Sequence, residues 1–219
     1  MARREEHPFA PRVSPPDLPR ELTVAPGLRR GAEHFQQSFT ALEETTDASH
    51  SEISECRFFR ASVDALTLTG ASVVDVDIDQ LRATTISARG ARLRRVRVVG
   101  GRIGTLDLAT ADLDEVELRG IRIDYLSLGG ARIEDLLVAN CVIGSLDLPQ
   151  ATATRVRFDD TRGDEVDVRG LRATDVDLRG LEMLSLTDAT ALRGTTLDST
   201  QVESMAAAFA AALGIQVKD

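Results

Sequence analysis

The chain has 219 residues, 42% of them hydrophobic and 28% charged, with 35 acids against 26 bases and a formal net charge of −9. That balance excludes a disordered tail and a collagen-like fibre, and it argues against direct nucleic-acid binding and against an anionic membrane surface. Seven Phe, one Tyr and no Trp leave a core that must be built from aliphatic side chains.

Residues 1–30 carry six of the seven prolines and no hydrophobic period, and read as a flexible Pro-rich tail. The opening MARREEHPFAPRV has no apolar stretch of the secretory kind. Residues 31–45 place Phe35, Phe39 and Leu42 at helix-like spacing and are expected to form an N-terminal cap, helix or strand, over the edge of the element that follows.

That element, residues 46–190, is governed by a period of five. Of the 27 positions from Ile53 to Met183 whose numbers end in 3 or 8, 26 are apolar, Gly163 being the exception. Of the 27 positions two residues earlier, 24 are apolar, the exceptions being Ser51, Gly101 and Thr161. Composition alone gives about 11 per set. Period five matches neither a helix nor an ordinary strand. It implies a short extended piece and a corner, repeated, so that four sides make a twenty-residue coil and successive coils stack as parallel strands. Small residues such as Ala71, Ala91 and Ala111 alternate with large ones such as Leu66, Val76 and Ile86 every ten residues, which predicts two narrow and two bulky sides. Glycines at positions ending in 0, from Gly70 to Gly180, are expected at corners with positive φ. The charges support the same coil length. Arg92, Arg94, Arg95 and Arg97 fall opposite Asp112, Asp114, Glu115 and Glu117; Arg155 falls opposite Asp135, Arg157 opposite Asp177, Arg179 opposite Asp159 and Arg162 opposite Glu182.

Residues 199–214 read as a C-terminal helix. Thr200 and Glu203 form a capping-box pattern, Val202, Met205, Phe209 and Leu213 follow helical spacing, and Gly214 supplies a stop. Two readings stay open: a lid on the last coil, or a homodimer contact in which two such helices pack.

In its repeats the chain resembles the pentapeptide-repeat proteins, whose consensus is A(D/N)LXX. Ala111-Asp112-Leu113 matches literally, and Val76-Asp77-Ile78, Leu106-Asp107-Leu108, Leu146-Asp147-Leu148, Val166-Asp167-Val168 and Val176-Asp177-Leu178 match closely. The resemblance implies an all-β fold, a right-handed quadrilateral parallel β-helix of about seven coils with a short C-terminal α-helix. It also adds a little weight to the dimer reading of that helix, because some DNA-mimicking relatives dimerise through C-terminal elements. Large Val or Leu in place of the first Ala, and Arg in place of Asp/Asn, depart from the consensus.

No catalytic constellation is evident. His7, His34 and His50 lie outside the regular coils, and no Cys–His or Ser–His pair, metal-ligand spacing or phosphate-cradling loop occurs, so no cofactor, metal or enzymatic activity is expected. Cys56 and Cys141 fall on interior positions and read as buried reduced thiols, and Met205 to Ile215, the longest apolar run, is too short to cross a bilayer, so a cytoplasmic location is expected. Two outward features remain. One is an acidic face of Asp107, Asp112, Asp114, Glu115, Glu134, Asp135, Asp147 and Asp167; the other is an arginine ladder of Arg82, Arg102 and Arg122. They point to a non-catalytic scaffold presenting a rigid charged rod to a protein partner. The alternative, implied by the resemblance, is a DNA mimic that binds DNA gyrase, inhibiting it or protecting it from quinolones.

Overall fold

The computed structural model describes residues 8–218. Among the described residues, seventeen strands form one sheet in which every pairing is parallel, a β-solenoid of about eight turns. Where both partners lie between Thr45 and Thr187, each paired residue faces the one twenty positions on, for example Val76 opposite Val96 and Leu126 opposite Leu146. The square coil follows from the inward residues. Ile103, Leu126, Leu136, Ile143 and Leu146 are fully buried, and Ile123, Leu113 and Leu118 stack with them into one continuous core.

The polar exceptions on the inward columns are satisfied by carbonyls. Ser51 Oγ donates to the Ala48 carbonyl, and Thr161 Oγ1 donates to the carbonyls of Val138 and Asp159. Cys56 and Cys141 are buried free thiols. Burial raises both thiol pKa values, which keeps them protonated. One expected narrow side is narrow over five coils, with Ala71, Ala91, Ala111, Ala131 and Ala151 in one column before Leu171 widens it. The opposite column alternates along the rod instead: Leu81, Gly101, Ile121, Cys141. Bulk there is traded between neighbouring coils rather than between sides.

Three of the four corners carry a left-handed residue in each regular coil. One is a hydrogen-bonded β-turn, as where the Ala91 N–H donates to the Ala88 carbonyl with Gly90 at φ +61. Gly70, Gly130 and Gly170 occupy the same place, while His50, Thr110 and Gln150 adopt it as non-glycines. Gly180 corrects the expectation, because its φ is not positive. It is needed for close approach, since a Cβ there would lie 2.3 Å from the Phe158 carbonyl oxygen. A second left-handed column contains no glycine at all: Glu55, Asp75, Arg95, Glu115, Asp135, Arg155 and Asp175.

At both ends the coil shortens. Glu33 faces Glu52 and Ser38 faces Arg57, nineteen residues apart, and Val176 faces Thr195 at the same offset. The segment over 31–45 is therefore strand, Glu33–Phe35 and Gln37–Phe39, and belongs to the solenoid. The shift of one explains why Phe39 and His34 are buried while Phe35 is exposed; Leu42 is partly buried against the core. His34 thus lies in a coil, where its Nε2 accepts from the Arg29 N–H and its Nδ1 donates to Gln37 Oε1. Phe39 stacks on Phe58 at 4.7 Å and closes this end of the core.

Residues 8–30 are not an unattached tail. Thr23–Val24 pair with Gln37 and Ser38, and the preceding stretch runs along the rod. At the other end α1 (Ser199–Ser204) and α2 (Ala206–Ala212) follow a turn of 3₁₀ helix, Ala189–Leu192. The capping box is formed by Asp198 and Gln201, two residues before the pair read from sequence. Gln201 Nε2 also donates to the carbonyls of Leu178 and Leu181, closing part of the last coil's open rim. Gly214, at φ +74, ends α2.

Candidate functional site

The rod presents its outward side chains in columns along the stacked strands. Among the described residues no group of three or more His, Cys, Asp and Glu could hold a metal ion, and no helix is long and apolar enough to cross a membrane.

The acidic face divides between two sides. Asp107, Ser127, Asp147 and Asp167 form one column. Asp107 and Asp167 serve the fold, since each Oδ1 accepts the N–H two residues on, at Ala109 and Arg169, opening the β-turn that follows. Each is also paired with an arginine, Arg89 at 2.9 Å and Arg169 at 2.6 Å. Asp147 accepts the Tyr125 hydroxyl at 2.6 Å. On the other side Asp112 pairs with Arg132, Asp114 with Arg94, and Glu134 and Asp135 with Arg155. Asp114 keeps a raised pKa from burial; Arg94 opposes the rise, and Glu115, Glu134 and Asp135 add to it.

The arginine ladder is real as a column: Arg82 faces Arg102, which faces Arg122. The column ends at Val142, then Arg162 and Glu182. Asp124 receives both Arg102, at 3.1 Å, and Arg122, at 3.5 Å, and their hydrogen bonds, that of Arg102 first, hold its carboxyl below the usual range. Arg82 borders a groove floored by Thr84 and the bare backbone of Gly104.

Several of the expected charge partners change. Arg95 turns back to Asp75 rather than on to Glu115, and Arg97 to Asp77 rather than Glu117. Arg157 and Arg162 pair within their own strands, with Asp159 and Asp164, and Arg179, in the turn after its strand, reaches back to Asp177. The register places the expected partners opposite one another, but side chains two apart on a strand share a face and compete for them.

Sequence reading missed the left-handed charged corner. Asp75 receives Arg95 Nε on Oδ1 at 2.7 Å and Arg95 Nη2 on Oδ2 at 2.6 Å; Asp135 receives Arg155 in the same way, at 2.7 Å for both contacts. Each Oδ1 also accepts a backbone N–H from residues 8–22: Asp17 donates to Asp75 at 3.0 Å and Arg12 to Asp135 at 2.8 Å. The Arg95 hydrogen bond holds Asp75 below its ordinary pKa. At Asp135 burial pushes the pKa up, and Arg155 with the Arg12 N–H outweighs it. The recurrence of Asp and Arg every twenty residues at one corner, beside prolines spaced by five, was the signal available.

Of the C-terminal residues, Met205 and Phe209 are half-buried and Phe209 packs on the core, whereas Val202 and Leu213 are exposed. Leu184, in the last long strand, is also exposed, at 64%.

No family model matches the chain, and no curated protein matches it. Among solved structures it is similar to QnrB1, described as a plasmid-mediated fluoroquinolone resistance protein. Two trypsin-treated variants of it align at 15% identity with TM-scores of 0.33 and 0.34, over 89% and 91% of this chain and 99% of theirs. Full-length QnrB1 aligns at 14% identity with a TM-score of 0.29, over 85% of this chain and 98% of its own. These likenesses are too distant to carry an argument about function; the fold rests on the chain's own strand register.

Proposed function

We propose that this protein is a pentapeptide-repeat rod that acts as a non-catalytic scaffold, presenting rigid charged flanks to a protein partner in the cytoplasm. The carrying observation is the contrast between a filled interior and the arginine column of Arg82, Arg102 and Arg122, held on strands of fixed register. Like charges at strand spacing repel, and an acidic partner surface relieves that repulsion. Two buried free thiols suit a reducing compartment. The exposed apolar side chains of the C-terminal helices, Val202 and Leu213, favour a homodimer joined at that end. The test is affinity capture from the native host, comparing wild type with a folded variant carrying Arg82→Glu, Arg102→Glu and Arg122→Glu. A protein retained by wild type and lost by the variant supports the reading; equal retention of every captured protein overturns it.

A second reading, imitation of a DNA phosphate track toward gyrase, draws on the negative field in which Asp114 sits among Glu115, Glu134 and Asp135. It is the weaker one, since most carboxylates of this face are ion-paired. Supercoiling by purified gyrase, unaffected at micromolar protein with and without a quinolone, would remove it.

A further inference from the structure

The charged left-handed corner repeats one order twice along the rod: Glu55, Asp75, Arg95, then Glu115, Asp135, Arg155. In each set the aspartate is fixed by the next arginine through the same two bonds, and its Oδ1 is turned to one further donor. That donor is a backbone N–H of an extended, proline-rich stretch, from Asp17 in the first set and from Arg12 in the second. The two carboxylates stand three coils apart, about 14 Å at the usual strand spacing. Five residues of polyproline II chain span about 16 Å. The two lengths agree, and each donor directly follows a proline, Pro11 or Pro16, so the extended backbone is set in advance.

We propose that this corner is a two-point clamp for extended proline-rich chain, that residues 8–22 fill it as an exchangeable ligand, and that the partners it takes are segments with two Pro-Xaa steps five residues apart. The clamp reads backbone N–H groups through charge-assisted hydrogen bonds, so it requires spacing and extension rather than particular side chains. Exchange follows from how lightly the resident segment is held. No residue from 8 to 24 is fully buried, whereas Asp75 and Asp135 beneath it are 6% and 4% exposed. Segments with little buried apolar surface open far more readily than a core. The inference deepens the scaffold reading by naming a partner class, but its test needs no cellular partner, so a failed host capture and a failed titration are separate results.

The test uses two measurements. In the full wild-type chain, residue-resolved amide exchange is expected to show Arg12 and Asp17 slowed at least about tenfold relative to Val13 and Ser14; uniform fast exchange across the segment overturns the clamp. A fluorescent peptide of residues 8–22 is then titrated into full-length protein carrying Arg12→Pro and Asp17→Pro. These changes delete the resident segment's two donors while keeping it extended. Saturable binding is expected, weakened about tenfold for each donor when the peptide itself carries the same prolines. Because that comparison leaves the rod unchanged, misfolding cannot mimic it. Equal binding of the wild-type and doubly substituted peptides, or no saturation, overturns the proposal.

Discussion

Asp135 is a carboxylate only 4% exposed in a corner whose backbone is left-handed, a place where a bare charge costs several kcal/mol. It is tolerated because Arg155 meets both its oxygens and the Arg12 N–H meets one again. Asp75 and Asp177 are held in related ways, by Arg95 and Arg179, and all three carboxyls titrate below the ordinary 3.8. A depressed folded-state pKa contributes stability that is fully present above the unfolded value and is lost as pH falls through the folded one. Thermal stability is therefore expected to be flat at neutral pH and to fall once the pH drops below about 4. Asp135→Asn should cost about 3 kcal/mol at pH 7 and make that acid fall shallower. Melting curves across pH check both; an unchanged acid limb would detach this residue from acid sensitivity. Which residue each charge binds was not legible beforehand. Arg97 has carboxylates one coil back and one coil on, and it takes Asp77; Arg157 has one two residues along its own strand and takes that instead. Periodicity defines the neighbourhood, and rotamers decide within it.

At the scale of elements, the inward columns were plain in the sequence because every coil repeats the same burial, whereas the ends were not, because there the repeat changes length. A coil of nineteen shifts the inward positions by one, so Phe39 and His34 fell out of phase with Ile53, and Phe39 read instead as part of a helix-like spacing with Phe35 and Leu42. The C-terminal cap shows the same limit. Thr200 and Glu203 satisfy the pattern as well as Asp198 and Gln201 do, and only the latter can also reach the carbonyls of Leu178 and Leu181. Gln201→Ala is expected to lower stability by about 1–3 kcal/mol, measured by denaturant unfolding, since it opens those carbonyls as well as the helix cap. Two further changes separate lid from dimer contact. Phe209, packed on the core, should lower the melting temperature when changed to Glu. Leu213, 77% exposed, should leave stability unchanged when changed to Glu and should halve the sedimenting mass if the tip joins two rods. A monomeric wild type would remove the dimer reading.

Across the whole molecule, the strands of each coil pair with the coil before and the coil after it, and only residues 8–22 run along several coils, so stability is close to a sum of nearest-neighbour terms. Deleting residues 121–140 removes one complete coil and keeps Gly120 leading into an inward residue, Cys141, where Ile121 stood. That shortened rod is expected to fold and melt cooperatively. Deleting residues 121–130 removes half a coil and sets the all-Ala side over the mixed one; it is expected to yield insoluble or non-cooperative protein. Circular dichroism melts of the two check this, and equal behaviour would contradict the twenty-residue stacking. The pairing of parallel strands ends at Leu181–Thr187 and Thr195–Thr196, where the Gln201 amide engages only two of the terminal carbonyls. A rod stripped of that stopper has a templating face at one end, so head-to-tail fibre growth, slow in dilute solution and seeded by its own fragments, becomes the natural failure of this architecture.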